Sequence, residues 1–275
     1  MQAISSKQTK GARRDAELEG KDPLIATTLA RGLRVLRAFR IDDEEFLGNK
    51  DIAQRTGLPK STVARLTYTL VQLGYLSQHP RTSAYSLAAG VLVPAYTFLS
   101  RLDIRRIAQP YMRKIATQSG ITVSLATRHE LRMTAIESVV ADSPVPHAGL
   151  FGGRAPIART AIGHAYLAGL PQPDRDALIG ELRTYYAAQW PAIEKRILRD
   201  IISVNRKGYC VVRGEWNEKI SGAACPIVVG DGGLVLSMSA GGPSQLLPVP
   251  TLDALGEALT RACTEIERAV GRRAG

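Results

Sequence analysis

The chain has 275 residues, enough for two domains of ordinary size, and a formal charge of +11 that favours a polyanion without separating nucleic acid from a membrane surface or an acidic protein. No apolar run approaches the roughly 20 residues that cross a bilayer, and residues 1–22 lack the apolar core of a secretion signal, so a cytoplasmic protein with no membrane partner is expected. Cys210, Cys225 and Cys263 lie far apart with no CxxC pair, which argues against a zinc knuckle or redox dithiol and leaves buried reduced thiols, with no metal and no cofactor.

Residues 1–23 are polar and of mixed charge, which predicts a mobile tail. A first domain is expected over 24–90. From 27 to 39 apolar side chains recur at Leu29, Leu33, Leu36 and Phe39, a helical spacing that an acidic loop over 41–48 then breaks. A second helix is predicted over 49–56, capped by Asn49 and ended by Gly57 in a left-handed conformation. Pro59 suits the first turn of a third helix reaching Leu73. At about 100° per residue, Val63, Leu66, Leu70 and Leu73 share one face of it, while Ser61, Ala64, Arg65, Tyr68 and Gln72 share the other. After Gly74, two short β-like runs (75–78 and 84–87) flank His-Pro-Arg-Thr-Ser, which reads as a hairpin. Three helices and a hairpin make a winged helix-turn-helix.

That architecture makes DNA the first partner to consider. Arg can read guanine with a forked pair of donors, Gln can read adenine, and hydroxyls hold phosphate near a helix start, where the dipole also favours anions. The candidate DNA-binding residues are Lys60, Ser61, Thr62, Arg65, Tyr68 and Gln72, with Arg81 at the hairpin tip for the minor groove or its flanking phosphates. Between Phe46 and Gly90, Lys50, Arg55, Lys60, Arg65 and Arg81 face only Asp51. An isolated amphipathic helix would carry such side chains merely to stay solvated; the preceding helix, glycine turn and basic hairpin are what favour DNA. One recognition helix reads few base pairs, which favours a two-fold protein on a palindromic site.

Residues 91–119 read as a helical linker, with Pro94 and Pro110 marking breaks or first turns. A second domain is expected over 120–275: strands at 121–127 and 131–139, helices at 160–170, 173–183 and 193–206, strands at 209–212, 223–229 and 234–239 with an Asp231-Gly232-Gly233 turn, and a last helix over 252–270. This mixture indicates an α+β fold built on an antiparallel sheet. Cys225 has no His or acid in an activating register, and no GxSxG, GxxxxGK[ST] or HExxH motif occurs, so the protein is not expected to be an enzyme. An architectural DNA-binding protein without an effector, and less readily an enzyme, are the alternatives.

The runs TTLARGLRVLRAF, DIAQRTGLPKSTVARLTYTLVQLGYL and YSLAAG resemble the N-terminal domain of the IclR family of bacterial transcriptional regulators. GGRAPIARTAIGHAYLA resembles the loop and helix that open the family's effector pocket, RDIISVNRKGY the helix before a pocket strand, and SGAACPIVVGDGGLVLSMSAGGP the closing pair of strands. The resemblance implies a winged helix-turn-helix, a helical linker and a GAF- or profilin-like effector-binding domain, acting as a homodimer or homotetramer on a palindromic operator, as repressor or activator. Effector binding is expected to act through the 91–119 linker on operator affinity.

The resemblance also implies a small organic acid held by the backbone amides of Ala161 and Ile162 at a helix start, where unpaired N–H groups and the dipole suit a carboxylate. Arg154 and Arg159 can add charge. Some glyoxylate- and pyruvate-type pockets place an acid, a cysteine and a serine where Val212, Gly222 and Gly241 stand here, while Ser239 keeps its hydroxyl. Fewer polar groups and less side-chain volume imply a roomier, more apolar cavity for a larger ligand, an aromatic carboxylic acid or a related catabolic intermediate. His147, Ala155, Trp216, Ile220 and Gly222 are placed to line it.

Overall fold

The computed structural model describes residues 22–40, 43, 45–140, 153–230 and 233–271. Most of the expected tail, His147 and part of the 231–233 turn lie outside them. The chain divides into two compact units, Met1–Arg101 and Leu102–Gly275. Among the described residues no helix is long and apolar enough to cross a membrane.

In the first unit, helices α1 (Thr27–Leu36), α2 (Asn49–Thr56) and α3 (Lys60–Gln72) are followed by a hairpin of β1 (Leu76–Gln78) and β2 (Tyr85–Leu87), then α4 (Leu92–Ser100). Val35, Ile52, Val63, Leu70, Leu76 and Tyr85 form its core. Leu47 pairs with Tyr85 through N–H···O bonds of 2.8 and 2.9 Å, an isolated bridge that ties the preceding loop to the two-stranded wing.

Three local expectations change. Asn49 is not the cap of α2: Gly48 occupies that position, and its N–H donates to Asp51 Oδ2 at 3.2 Å. On α3 the inner face is Val63, Thr67 and Leu70, with the Thr67 hydroxyl donating to Val63 O at 3.0 Å. Leu73 lies past the last helical residue, where the helical period no longer applies, and is 64% exposed. On α1, Val35 turns inward while Leu29 and Leu33 stay exposed. Gly57, at φ +71°, ends α2 as expected.

The second unit holds a six-stranded sheet of β3 (Thr122–His129), β4 (Arg132–Val139), β5 (Arg154–Pro156), β6 (Cys210–Arg213), β7 (Ile220–Val229) and β8 (Leu234–Pro243). The strand order is β5-β4-β3-β8-β7-β6, and every neighbouring pair is antiparallel. Helix α5 (Asp103–Ser119) packs with α9 (Val249–Gly271) and against β3 and β4, burying Ile104, Ala108, Met112 and Ile115. The segment expected as a linker over 91–119 is thus two helices, and the second belongs to the sheet's layer. Pro110 sits inside α5 without breaking it. An interior proline costs about 3 kcal/mol, less than the sum over several buried side chains that each gain roughly 1.5–3 kcal/mol.

Helices α6 (Ala161–Gly169), α7 (Gln172–Tyr186) and α8 (Trp190–Lys207) complete the unit. Strand alternation assigns them a face of their own: Ala224 belongs to the core shared with α6 and α8, whereas its neighbour Cys225 meets Cys263 of α9. Helix α6 is buried from Ala161 to Leu167 and approaches closely because it carries glycine where its neighbours crowd it. A Cβ on Gly163 would stand 2.2 Å from the Ile157 carbonyl oxygen.

Gly163→Ala should therefore destabilise the protein by about 1–3 kcal/mol. Gly180→Ala on α7, where an added Cβ meets nothing within 4 Å, should stabilise it by about 0.5–1 kcal/mol. Denaturant unfolding of the two variants checks the contrast.

Candidate functional site

The first candidate surface lies on α3 and the wing. Lys60, Ser61, Arg65, Tyr68 and Gln72 are exposed, Thr62 is half-buried at the first turn, and Arg81 is exposed at the hairpin tip. Among the described residues Lys60, Arg65 and Arg81 make no ion pair. Arg55, counted among the cations of this region, is used internally: its guanidinium lies 2.6 Å from Asp43 Oδ2 and donates to Ala38 O at 2.9 Å. Burial pushes the Asp43 carboxyl up, but the hydrogen bonds from Arg55 and the Arg40 amide outweigh it and hold its pKa below the ordinary value.

The second is a cavity of about 190 Å³ in the sheet domain. Its floor is made by the sheet, where cross-strand partners share a face. One row reads Val212, Gly222, Gly241 and Thr122; in the next, Ser239 and Ser124 line the cavity, while Cys210 and Ala224 belong to the core packed with α6. These side chains are small, so the sheet leaves space beneath the helix layer. The wall is the start of α6. Thr160 caps it, accepting the Gly163 N–H at 3.3 Å and donating to Pro156 O at 2.8 Å. Ala161 and Ile162, the first two helical residues, line the cavity with N–H groups that have no acceptor inside the helix.

Of the residues singled out from the sequence, Ala155, Ala161, Ile162, Trp216, Ile220, Gly222 and Ser239 all line this cavity. Trp216, 39% exposed, stands at its rim. Arg154 and Arg159 also border it, each already held: Arg154 lies 3.3 Å from Glu130, and Arg159 donates to Gln189 at 2.6 Å with its guanidinium 5.5 Å from the Tyr186 ring centroid.

Four polar lining residues were not read from the sequence, Ser221 among them, its hydroxyl 2.8 Å from that of Ser244. Thr122 is buried and its Oγ1 has no hydrogen-bond partner among the described residues. Ser124 lies 3.1 Å from the Ser138 hydroxyl. Strand alternation puts 122, 124 and 126 together, but not on which face. Glu215, beyond the end of β6, pairs with Arg196 at 3.4 Å and Arg199 at 3.7 Å. Arg199 also donates to Asp200 at 2.9 Å, and Asp200 lies 2.7 Å from Nδ1 of the fully buried His164 on α6. A polar chain thus ties the cavity's edge to the middle of its anchoring helix.

The thiols offer no accessible nucleophile. Burial pushes Cys210 well above the ordinary thiol value, and Cys263 likewise, so the reactive thiolate is disfavoured. Among the described residues no cluster of three or more His, Cys, Asp or Glu side chains could hold a metal.

Residues 28–80 match the IclR helix-turn-helix domain, and residues 96–268 match the bacterial transcriptional regulator IclR C-terminal domain. The chain belongs to the IclR family. It is 33% identical over 246 residues to the HTH-type transcriptional regulator TsaQ1/TsaQ2 of Comamonas testosteroni, covering 88% of each chain. It is similar to the crystal structure of an IclR family regulator from Brucella abortus, with a TM-score of 0.78 and 37% identity over 91% of this chain and 94% of that one. The fold is also shared with an IclR homologue from Microbacterium hydrocarbonoxydans crystallised with 4-hydroxybenzoate, at a TM-score of 0.68 and 24% identity over 88% and 99% of the two chains. The protein is therefore a transcriptional regulator with a DNA-binding helix-turn-helix and a C-terminal ligand-binding domain.

In this IclR-family module the Arg55–Asp43 pair should matter most near neutrality. A lowered carboxyl value stabilises the fold above the ordinary Asp range and ceases to do so as the pH falls below it. Asp43→Asn should cost about 0.5–1.5 kcal/mol at neutral pH, and its deficit should close below about pH 4. Thermal melts of the variant and the unsubstituted protein at neutral and acid pH check this.

Proposed function

We propose that this regulator is a cytoplasmic homodimer or homotetramer that binds a palindromic operator and is controlled by a small organic acid, aromatic rather than glyoxylate-like, held in the cavity of its C-terminal domain. The observation that carries the ligand class is the pairing of the α6 amides with a floor of small side chains. The amides of Ala161 and Ile162 suit a carboxylate, and the row Val212, Gly222, Gly241 supplies space without side-chain charge. A volume of about 190 Å³ is below the roughly 300–1,000 Å³ of drug-sized sites, which favours a single-ring acid over a nucleotide. The Ser239 hydroxyl, only part-buried in the floor, suits a second polar group such as a ring hydroxyl. The 4-hydroxybenzoate complex of the Microbacterium homologue is in keeping with such a ligand.

On the DNA side, Lys60, Ser61 and Thr62 are read as phosphate contacts, Arg65, Tyr68 and Gln72 as base-edge contacts, and Arg81 as the wing contact. Self-association is supported by apolar side chains left open in the first unit: Leu29 and Leu33 on α1, and Leu92, Val93 and Tyr96 on α4.

Two experiments test this reading. Arg65→Ala should weaken binding to the native operator and relax preference at one base pair, at a cost of about 1–3 kcal/mol. Lys60→Ala should weaken binding to every sequence and reduce the salt slope by about one. Unchanged binding by both variants would overturn the DNA assignment.

For the effector, melts against a panel of acids should show a midpoint that rises with concentration for aromatic carboxylates, corresponding to about 2.7 kcal/mol of stabilisation at a hundredfold excess over Kd. Glyoxylate and pyruvate should shift it less, and the acid that binds should also change operator affinity. No shift across the panel would favour an architectural role without an effector.

A further inference from the structure

We propose that His79 is a positioning residue for DNA binding, whose Nδ1 holds the wing turn in the conformation that presents Arg81. The turn between β1 and β2 is closed by the backbone, with His79 N–H donating to Ala84 O at 2.8 Å and Ser83 N–H donating to His79 O at 3.0 Å. Those bonds leave the amides at the tip unpaired. Arg81 N–H and Thr82 N–H instead donate to one acceptor, His79 Nδ1, at 3.3 and 3.2 Å. Two donors converging on one nitrogen require its lone pair, which fixes the tautomer with hydrogen on Nε2. The ring is set in turn by an edge contact with Phe46, centroids 5.0 Å apart at 76°.

The turn needs this tether because its backbone is strained. Ser83 has φ +56°, an uncommon conformation for a residue with a side chain. Without the imidazole acceptor, the 81 and 82 amides turn to solvent and the tip gains alternative conformations, so Arg81 meets the duplex only after paying to reorder it. The inference rests on the reading of Arg81 as the wing contact.

The test uses the full-length protein and a labelled mixed-sequence duplex of about 30 base pairs, roughly three helical turns, titrated at several salt concentrations. Arg81→Ala should weaken binding about five- to tenfold at 0.1 M salt and reduce the salt slope by about 0.9, the share of one phosphate contact. His79→Phe, which keeps a ring against Phe46 but has no acceptor, should lose a similar factor. His79→Asn, whose Oδ1 hangs from Cγ as Nδ1 does, should bind within about twofold of the unsubstituted protein. The His79→Phe, Arg81→Ala double variant should be no weaker than Arg81→Ala alone, since the two act through one contact.

If Arg81→Ala weakens binding while His79→Phe does not, or if the two losses multiply in the double variant, the role of His79 falls and the wing contact stands. If Arg81→Ala binds unchanged, the wing contact fails and the proposal with it. Failure of His79→Asn to rescue would show that an acceptor at this position does not restore binding, and would equally overturn it.

Discussion

Helix α6 is closed in on every side from Ala161 to Leu167, and a helix of nine residues gains little stability from its own hydrogen bonds. What holds it is contact: β7 and β8 beneath, α8 beside it, and the turn at Ile157 against Gly163. Burial this complete leaves nowhere for water to reach the first-turn amides except through the space in front of them. The cavity is therefore a consequence of how the helix is packed. It exists because the helix begins over a patch of sheet whose rows contain Gly, Ala, Ser and Thr, while the rest of the helix sits on larger residues. Packing, capping and the candidate anion site thus trace to one placement.

The N-terminal unit shows why net charge is a poor guide to a binding surface. Several of the chain's cations are matched within the fold: Arg55 by Asp43, Arg105 by Glu137 and Arg128 by Glu181. Such pairs add little long-range field and, where exposed, little stability. The cations that can act on a polyanion are those with no internal partner, and Lys60, Arg65 and Arg81 are such cations on the helix and hairpin of the winged motif. Arg55, on α2, is held to Asp43 in the preceding loop and to the Ala38 carbonyl, so its charge is matched inside the fold.

The winged motif was legible because its signals are local. Gly57 ends one helix, apolar positions turn one face of the next inward, and a turn-rich pentapeptide separates two short strands. The errors came where local periodicity met tertiary packing. Leu29, Leu33 and Leu73 have the right spacing for a core but no neighbour to complete it, and Thr67 goes inward because its hydroxyl can bond the preceding turn. Pro110 reads as a break, yet the packing of α5 against the sheet carries the helix through it. The cavity was half-legible. Ala161, Ile162, Gly222 and Ser239 followed from resemblance. Thr122 and Ser124 did not, since no local signal tells which face of a strand meets a helix start far away in sequence, and Glu215 did not because it lies past the end of β6, where alternation says nothing.

On the proposed reading, the energetics of the cavity also bear on which ligands it can discriminate. A carboxylate at a helix start gains about 0.3–2 kcal/mol from the dipole and amides, far from enough for micromolar affinity, which needs about 8 kcal/mol. A very small acid must obtain the remainder from further charged or hydrogen-bonding side chains, and Val212, Gly222 and Gly241 provide none. A ring must obtain it by burying apolar area at about 25 cal/mol per Å², which the floor and Trp216 permit. The same substitutions that remove polar grip on a small acid thus admit a larger one, so selectivity comes from shape and from the few hydroxyls that remain. Ser239, only part-buried in the floor, is a hydroxyl that a ring substituent can reach, whereas Thr122 Oγ1 is already closed off from water. A ligand that bonds Ser239 replaces the water its hydroxyl loses on binding, whereas one lacking a polar group at that point leaves it unsatisfied.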